Sequence, residues 1–302
     1  MRKLSIVFYM LIIIISLTGC GTKGKKKSEE NDKINIGVSI VPQETFVRAV
    51  GRDLVDVVTM IPQGHSPANY QPTPKQIQKF SESDIYFSIG VATEEANILP
   101  RIDKLNSDMK VVSMNEKVEE FYPAIMIDKD ENHEKDEDEH SGRDPHIWLS
   151  PKRVKVMIEC IKDELIKISP SNKEIFETNA LNYIAQLEKV DLEIKELLQN
   201  KTIKSFIIYH PSFGYFAKEY GLDMIPIEEG GKKTTAKSIE KVIKKAKEEN
   251  IRVIFYQDEF DSGQAEIIAK EIGGVTVNVS PLDGEYINNL KSIAIKFKEA
   301  LR

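Results

Sequence analysis

The chain has 302 residues, with 42 Lys and Arg against 48 Asp and Glu, for a formal net charge of −6. At 41% hydrophobic and 30% charged residues the composition is that of a globular protein, not of a disordered or collagen-like chain, and the length suggests about two domains. A negative balance without a basic stripe argues against a nucleic-acid partner. Two cysteines with no CxxC pair exclude a disulfide framework and thiolate metal clusters.

Arg2 and Lys3 precede an apolar run of 16 residues that closes in Leu17-Thr18-Gly19-Cys20. A membrane helix needs about 20 apolar residues, and the basic start fits a secretory signal over residues 1–19. The ending looks like the lipobox of bacterial lipoproteins, which makes Cys20 the lipid-bearing first residue of the mature chain; an uncleaved single-pass anchor is the competing reading. Residues 20–33, rich in Lys, Gly, Ser and Glu, read as a flexible tether. The other cysteine, Cys160, stands on an apolar helical face and is expected to be a buried free thiol.

Beyond the tether, short β-branched and aromatic runs predict strands at 34–40, 55–61, 85–89, 110–114 and 125–127, and again at 205–209, 224–227, 253–256 and 275–279. Helix-period stretches lie between them at 43–50, 74–82, 236–249 and 263–272, and such alternation implies parallel α/β sheets. The middle differs. Residues 151–168 form one helix stopped by Ser169-Pro170, and 172–199 form a second without Gly or Pro, with Ile175, Phe176, Leu181, Ile184, Leu187, Val190, Ile194 and Leu197 near helical spacing. A helix of that length spans about 40 Å, enough to run along two lobes. The expected division is an N-terminal lobe at 34–170, a linking helix at 171–200 and a C-terminal lobe at 201–302. Residues 128–139 carry eight acidic side chains, two lysines and His133, with His140 close behind. Charge this dense cannot enter a core, so 128–142 is read as an exposed loop, solvated or weakly metal-collecting.

Three of the five histidines fall in stiff loops. His65 follows the strand 55–61 in a Pro-rich turn, His146 stands between Pro145 and Pro151 just ahead of a helix, and His210 follows the strand 205–209 and is held by Pro211. Ligands of strand-and-helix folds bind beyond the carboxyl ends of parallel strands. Neutral imidazole is the commonest protein ligand for Zn²⁺ and related ions, so three such loops suit a three-nitrogen site completed by an oxygen. Asp258 or Glu259, just after the strand 253–256, is a candidate for that oxygen; both also fit a plain solvent-facing role.

At these residues the chain resembles the metal-binding lipoproteins of zinc/manganese ABC transporters. The resemblance covers nearly the whole mature chain: Ser39-Ile40-Val41-Pro42, the Gly-x-x-Pro-x-x-Tyr-x-Pro-Thr-Pro loop from Gly64 to Pro74, Asp144-Pro145-His146-Ile147-Trp148, the long helix, and His210-Pro211-Ser212-Phe213-Gly214-Tyr215-Phe216. It implies two α/β lobes bridged by one rigid helix, with metal bound between them, and a ligand role for His146 and His210. It further implies a monomer tied to the outside of the bacterial cell membrane through Cys20, which captures Zn²⁺, or alternatively Mn²⁺, and passes it to an ABC permease. Two positions depart from the pattern. The loop histidine that in the family follows the proline is here Ala68, with His65 three residues earlier, and the place of the family's last carboxylate is Ser280. The fourth ligand is then water, Asp258 or Glu259. A His-rich site favours Zn²⁺, while an added carboxylate favours the harder Mn²⁺.

Two other functions fit three histidines: a zinc hydrolase, and a surface adhesin with a structural metal. There is no HExxH, GxSxG or GxGxxG to support an enzyme. The stretch from Glu228 to Thr234 has Pro226 where the first glycine of a phosphate loop would stand, so it reads as a turn with Thr234 or Thr235 capping the next helix.

Overall fold

A computed structural model of the chain describes residues 33–127, 142–228, 234–260 and 262–302. The signal segment, Cys20, the tether and the acidic segment with His133 and His140 lie outside the described residues. All that follows belongs to one unit, Lys33–Arg302.

Among the described residues, eight strands form two four-stranded parallel sheets. The first contains β1 (Ile34–Ile40), β2 (Val55–Ile61), β3 (Ile85–Ser88) and β4 (Lys110–Ser113) in the order β2-β1-β3-β4. The second contains β5 (Ser205–Ile208), β6 (Asp223–Pro226), β7 (Val253–Tyr256) and β8 (Val275–Asn278) in the equivalent order β6-β5-β7-β8. The central strands are almost wholly buried, β1 (INIGVSI) and β5 (SFII) alike, because helices cover both faces of a parallel sheet. The helices used below are α1 (Val41–Gly51), α2 (Pro74–Phe80), α3 (Met114–Glu119), α4 (Pro151–Ile168), α5 (Lys173–Leu198), α6 (Gly214–Tyr220), α7 (Ala236–Glu248), α8 (Gly263–Glu271) and α9 (Tyr286–Ala300). Their starts follow the expected chemistry. Ser150 and Thr235 cap α4 and α7 with side-chain oxygens that accept from Arg153 N and Ser238 N. Thr73 and Gln76 form a capping box around Pro74, the first residue of α2.

The 26-residue α5 packs on α1 and α4 from the first half of the chain and on α9 from the second. Its buried stripe is Phe176, Ala180, Tyr183, Leu187, Val190, Ile194 and Leu198. Ile175 and Leu181, placed on that stripe by spacing alone, are 47% and 65% exposed, because successive 100° steps carry them off the face that meets α1 and α4. One contiguous core runs through both halves, joining Ile36 and Phe87 beside the first sheet to Leu187 on α5 and to Phe206, Phe255 and Phe297 beside the second. The two lobes therefore share their apolar interior.

Three expectations are corrected. Residues 125–127 make no strand: Met126 forms a single antiparallel bridge with Arg143 and joins neither sheet, and Met126 and Ile127 are exposed. Cys160 is a free thiol but only half-buried, in a groove also lined by Tyr122, Val156 and Ile184; burial pushes its pKa up to about 11. The third concerns α9, absent from the elements expected above although Tyr286, Leu290, Ile293, Ala294 and Phe297 keep helical spacing and are buried. Phe297 stacks on Phe255 at 4.3 Å and meets Phe206 at 4.8 Å. Truncating it opens a cavity among aromatic rings, so Phe297→Ala is expected to cost about 3–5 kcal/mol in denaturant unfolding. A loss below about 1 kcal/mol would show that α9 does not help close the shared core. Among the described residues no helix is long and apolar enough to cross a membrane.

Candidate metal site

Strand register explains how the second sheet builds its half of the site. β5 pairs with β6 so that Ile208 lies opposite Pro226, and with β7 so that Ile208 lies opposite Phe255. Two residues beyond those pairs, at the carboxyl ends, come His210, Glu228 and Gln257. Glu228 accepts a hydrogen bond from Nδ1 of His210 at 2.9 Å. Gln257 Nε2 donates to the His210 carbonyl and to Ser212 Oγ, each at 2.8 Å, and its Oε1 accepts from the His210 amide at 3.3 Å. Phe260 stacks on the His210 ring, with centroids 4.7 Å apart. The location is the switch point between β5 and β7, where the strand order reverses. Burial lowers the pKa of His210, opposed by the Glu228 hydrogen bond, so the ring resists protonation more than a solvated histidine.

His146 is buried on the other side, in the turn ahead of α4. The Asp144 carboxylate accepts from its amide at 2.9 Å and from its Nδ1 at 2.6 Å. The two imidazoles meet edge to face with centroids 5.3 Å apart and planes at 71°. In each ring Nδ1 is taken by a carboxylate. This fixes the tautomer and leaves Nε2 as the nitrogen with a lone pair to offer, the arrangement in which a carboxylate behind histidine orients a metal ligand.

The other predicted residues lie differently. His65 is exposed, its Nδ1 3.2 Å from Gln63 O and its ring edge-on to Tyr70. Its loop is tied down by Thr93 N donating to Pro67 O at 3.1 Å and by Asn97 Nδ2 donating to Tyr70 O at 3.2 Å. Asp258 is exposed and both its oxygens are engaged, accepting from Asn278 Nδ2 and Ser280 Oγ at 2.5 Å each. Register is again the cause: Tyr256 lies opposite Asn278, so Asp258 and Ser280 are the next matching pair. Glu259 is half-buried, its Oε2 is fully enclosed with no hydrogen-bond partner, and burial raises its pKa to about 7. Among the described residues no three His, Cys, Asp or Glu side chains already converge closely enough to hold a metal ion. The expected set thus divides into an assembled pair, His146 and His210, an unpartnered carboxylate oxygen at Glu259 next to Phe260, and His65 apart from them on its loop.

Reading by residue type missed Asp144, Glu228 and Gln257 as partners of the histidines. Position relative to strand ends was the available signal for the last two. It also missed Glu94, which is fully buried where β1 and β3 end and accepts from Ile89 N at 2.8 Å, Gly90 N at 2.5 Å and Ser39 Oγ. Burial raises its pKa, and its hydrogen bonds root the turn from which Thr93 and Asn97 hold the His65 loop.

Residues 36–300 match the family described as "Zinc-uptake complex component A periplasmic". The chain belongs to this family. Within the zinc-uptake component A family it is 30% identical over 296 residues to the high-affinity zinc uptake system protein ZnuA of Bacillus subtilis (strain 168), with 94% of this chain and 90% of that protein covered. It is 28% identical to the zinc-binding lipoprotein AdcA of Streptococcus pneumoniae, where 94% of this chain spans 56% of the longer relative. A crystal structure of ZnuA superposes with a TM-score of 0.81 at 33% identity, covering 90% of this chain and 100% of that one. The laminin-binding protein Lmb of Streptococcus agalactiae, at 19% identity and a TM-score of 0.75, shares the fold.

Proposed function

We propose that this protein is the extracytoplasmic receptor of an ABC transporter, which captures Zn²⁺ between its two lobes and delivers it to a membrane permease, with Cys20 as its lipid anchor. The observation that carries the reading is the facing pair His146 and His210, each with Nδ1 held by a carboxylate and Nε2 left for the ion. In this reading Glu259 supplies an oxygen in preference to Asp258, whose oxygens are already engaged. His65 takes the place of the imidazole missing at Ala68, which requires its loop to give up the bonds from Thr93 N and Asn97 Nδ2 as it turns toward the pair. Nitrogen donors select Zn²⁺ over Mn²⁺, which prefers oxygen. The family is one of transport receptors, and the ligand set described serves capture and release without a catalytic step.

Equilibrium dialysis of the metal-free protein at neutral pH tests this. One equivalent of Zn²⁺ retained against excess Mn²⁺ is the expected result, and no retained Zn²⁺ overturns the assignment. Because imidazole and carboxylate bind metal only when deprotonated, affinity should weaken as pH falls through about 7, where Glu259 takes up its proton, and further at lower pH as His210 is protonated. The lowered pKa of His210 sets its own proton competition below that of an ordinary histidine, near 6.5. Titrations at several pH values between 5 and 8 check this, and a flat profile would contradict imidazole and carboxylate ligation.

A further inference from the structure

The loop that ends in His146 and the loop that begins at His210 are joined by contacts that involve no metal. Gly214 opens α6, and a Cβ placed there would sit 2.5 Å from Asp144 Oδ2, closer than any side chain tolerates. A side chain at this position would therefore force the carboxylate that orients His146 to shift. The neighbouring Tyr215 is buried, and its hydroxyl donates to the Asp144 carbonyl at 3.0 Å and accepts from the Ile125 amide at 3.1 Å. Asp144 is thus held from the His210 side through its carbonyl, with Gly214 close beside its carboxylate, while its Oδ1 holds His146 at two points.

We infer that Gly214 and Tyr215 are positioning residues that set the separation and facing of the His146 and His210 rings before an ion arrives, with Asp144 as the common anchor. The half-site is then preformed, and the protein imposes its nitrogen–nitrogen geometry on the ion. This rests on the reading that both histidines bind zinc. It goes further in assigning control of their geometry to two residues that touch no ion.

The test uses Gly214→Ala and Tyr215→Phe in the full chain, with three measurements: zinc affinity by chelator competition, the visible spectrum of the Co²⁺-loaded protein, and unfolding of the metal-free protein. Co²⁺ absorbance responds to coordination geometry, which a purely structural role would leave unchanged. Gly214→Ala should weaken zinc binding by about 10–100-fold, the range for changes behind a ligand, and alter the Co²⁺ spectrum. Tyr215→Phe should move both in the same direction by less, with the metal-free protein still cooperatively folded. Zinc affinity within twofold of the parent in both variants, or weaker affinity with a parental Co²⁺ spectrum, overturns the inference. Should Gly214→Ala not fold, Tyr215→Phe decides by the same two readouts. His146→Ala and His210→Ala run alongside: if they bind zinc like the parent, the ligand reading itself has failed, whereas if they lose zinc while Gly214→Ala and Tyr215→Phe do not, only the positioning role has.

Discussion

Replacing either His146 or His210 with alanine should weaken zinc binding by well over 100-fold, more than the roughly 10–100-fold that follows from disturbing a group behind a ligand. Each ring contributes one of the two nitrogens already assembled, 5.3 Å apart between centroids, so losing one leaves no pair to start from. The loss should be specific. His210 stacks on Phe260 at the rim of the second sheet and His146 sits in a turn, so neither supports the shared core. His65→Ala is expected to fall between these variants and the parent, because its ring starts outside the pair. Isothermal titration of the three variants beside the parent gives the ranking, and a His65 variant weaker than both others would mean that the assembled pair is not the main site.

The second large effect belongs to a buried ion pair. Arg153 on α4 donates from Nη1 to Glu219 on α6 at 2.7 Å and from Nη2 to the Pro123 carbonyl at 3.2 Å, and it lies over the Tyr215 ring at 4.3 Å. Ser150 also donates to Glu219, at 2.5 Å. Burial raises the Glu219 pKa against the pull of Ser150 and Arg153, and its Oε2 has no partner. Arg153→Ala would strand that carboxylate, and breaking such a pair from one side costs about 3–5 kcal/mol. Removing both charges, as in Arg153→Met with Glu219→Leu, should recover most of the loss, because the pair also carries the cost of taking two charges out of water. Denaturant unfolding followed by the fluorescence of Trp148, the chain's one tryptophan and a buried one, reports both variants. A loss below about 1 kcal/mol for Arg153→Ala would mean that water reaches Glu219.

Much of this architecture was legible in the order of residues, for identifiable reasons. The eight strands described stand out as short runs enriched in β-branched and aromatic residues, although β1 alternates with Asn35, Gly37 and Ser39. The helices starting at Pro74, Pro151 and Ala236 announce themselves through Thr73, Ser150 and Thr235. The run at 125–127 misleads because β propensity says nothing about whether a segment lies against a sheet edge, and Met126 bridges only Arg143. Helical spacing likewise overstates the buried face of α5 at Ile175 and Leu181, where contact depends on which neighbours the helix meets. At the site, His146 and His210 are marked by flanking prolines and their places in the chain. Their carboxylate partners are set by other means: Glu228 is 18 residues from His210 and reaches it through the β5–β6 register. Asp144 is local, but its hold on His146 is joined to α6 by Gly214, a contact no spacing rule contains.

X-ray absorption of the zinc-loaded protein at the zinc edge bears most directly on the central claim, since it counts and types the atoms bound to the ion. At least two imidazole nitrogens with at least one oxygen are expected, at Zn–N distances of about 2.0–2.1 Å. A first shell of oxygen alone, or with a single imidazole, would contradict it.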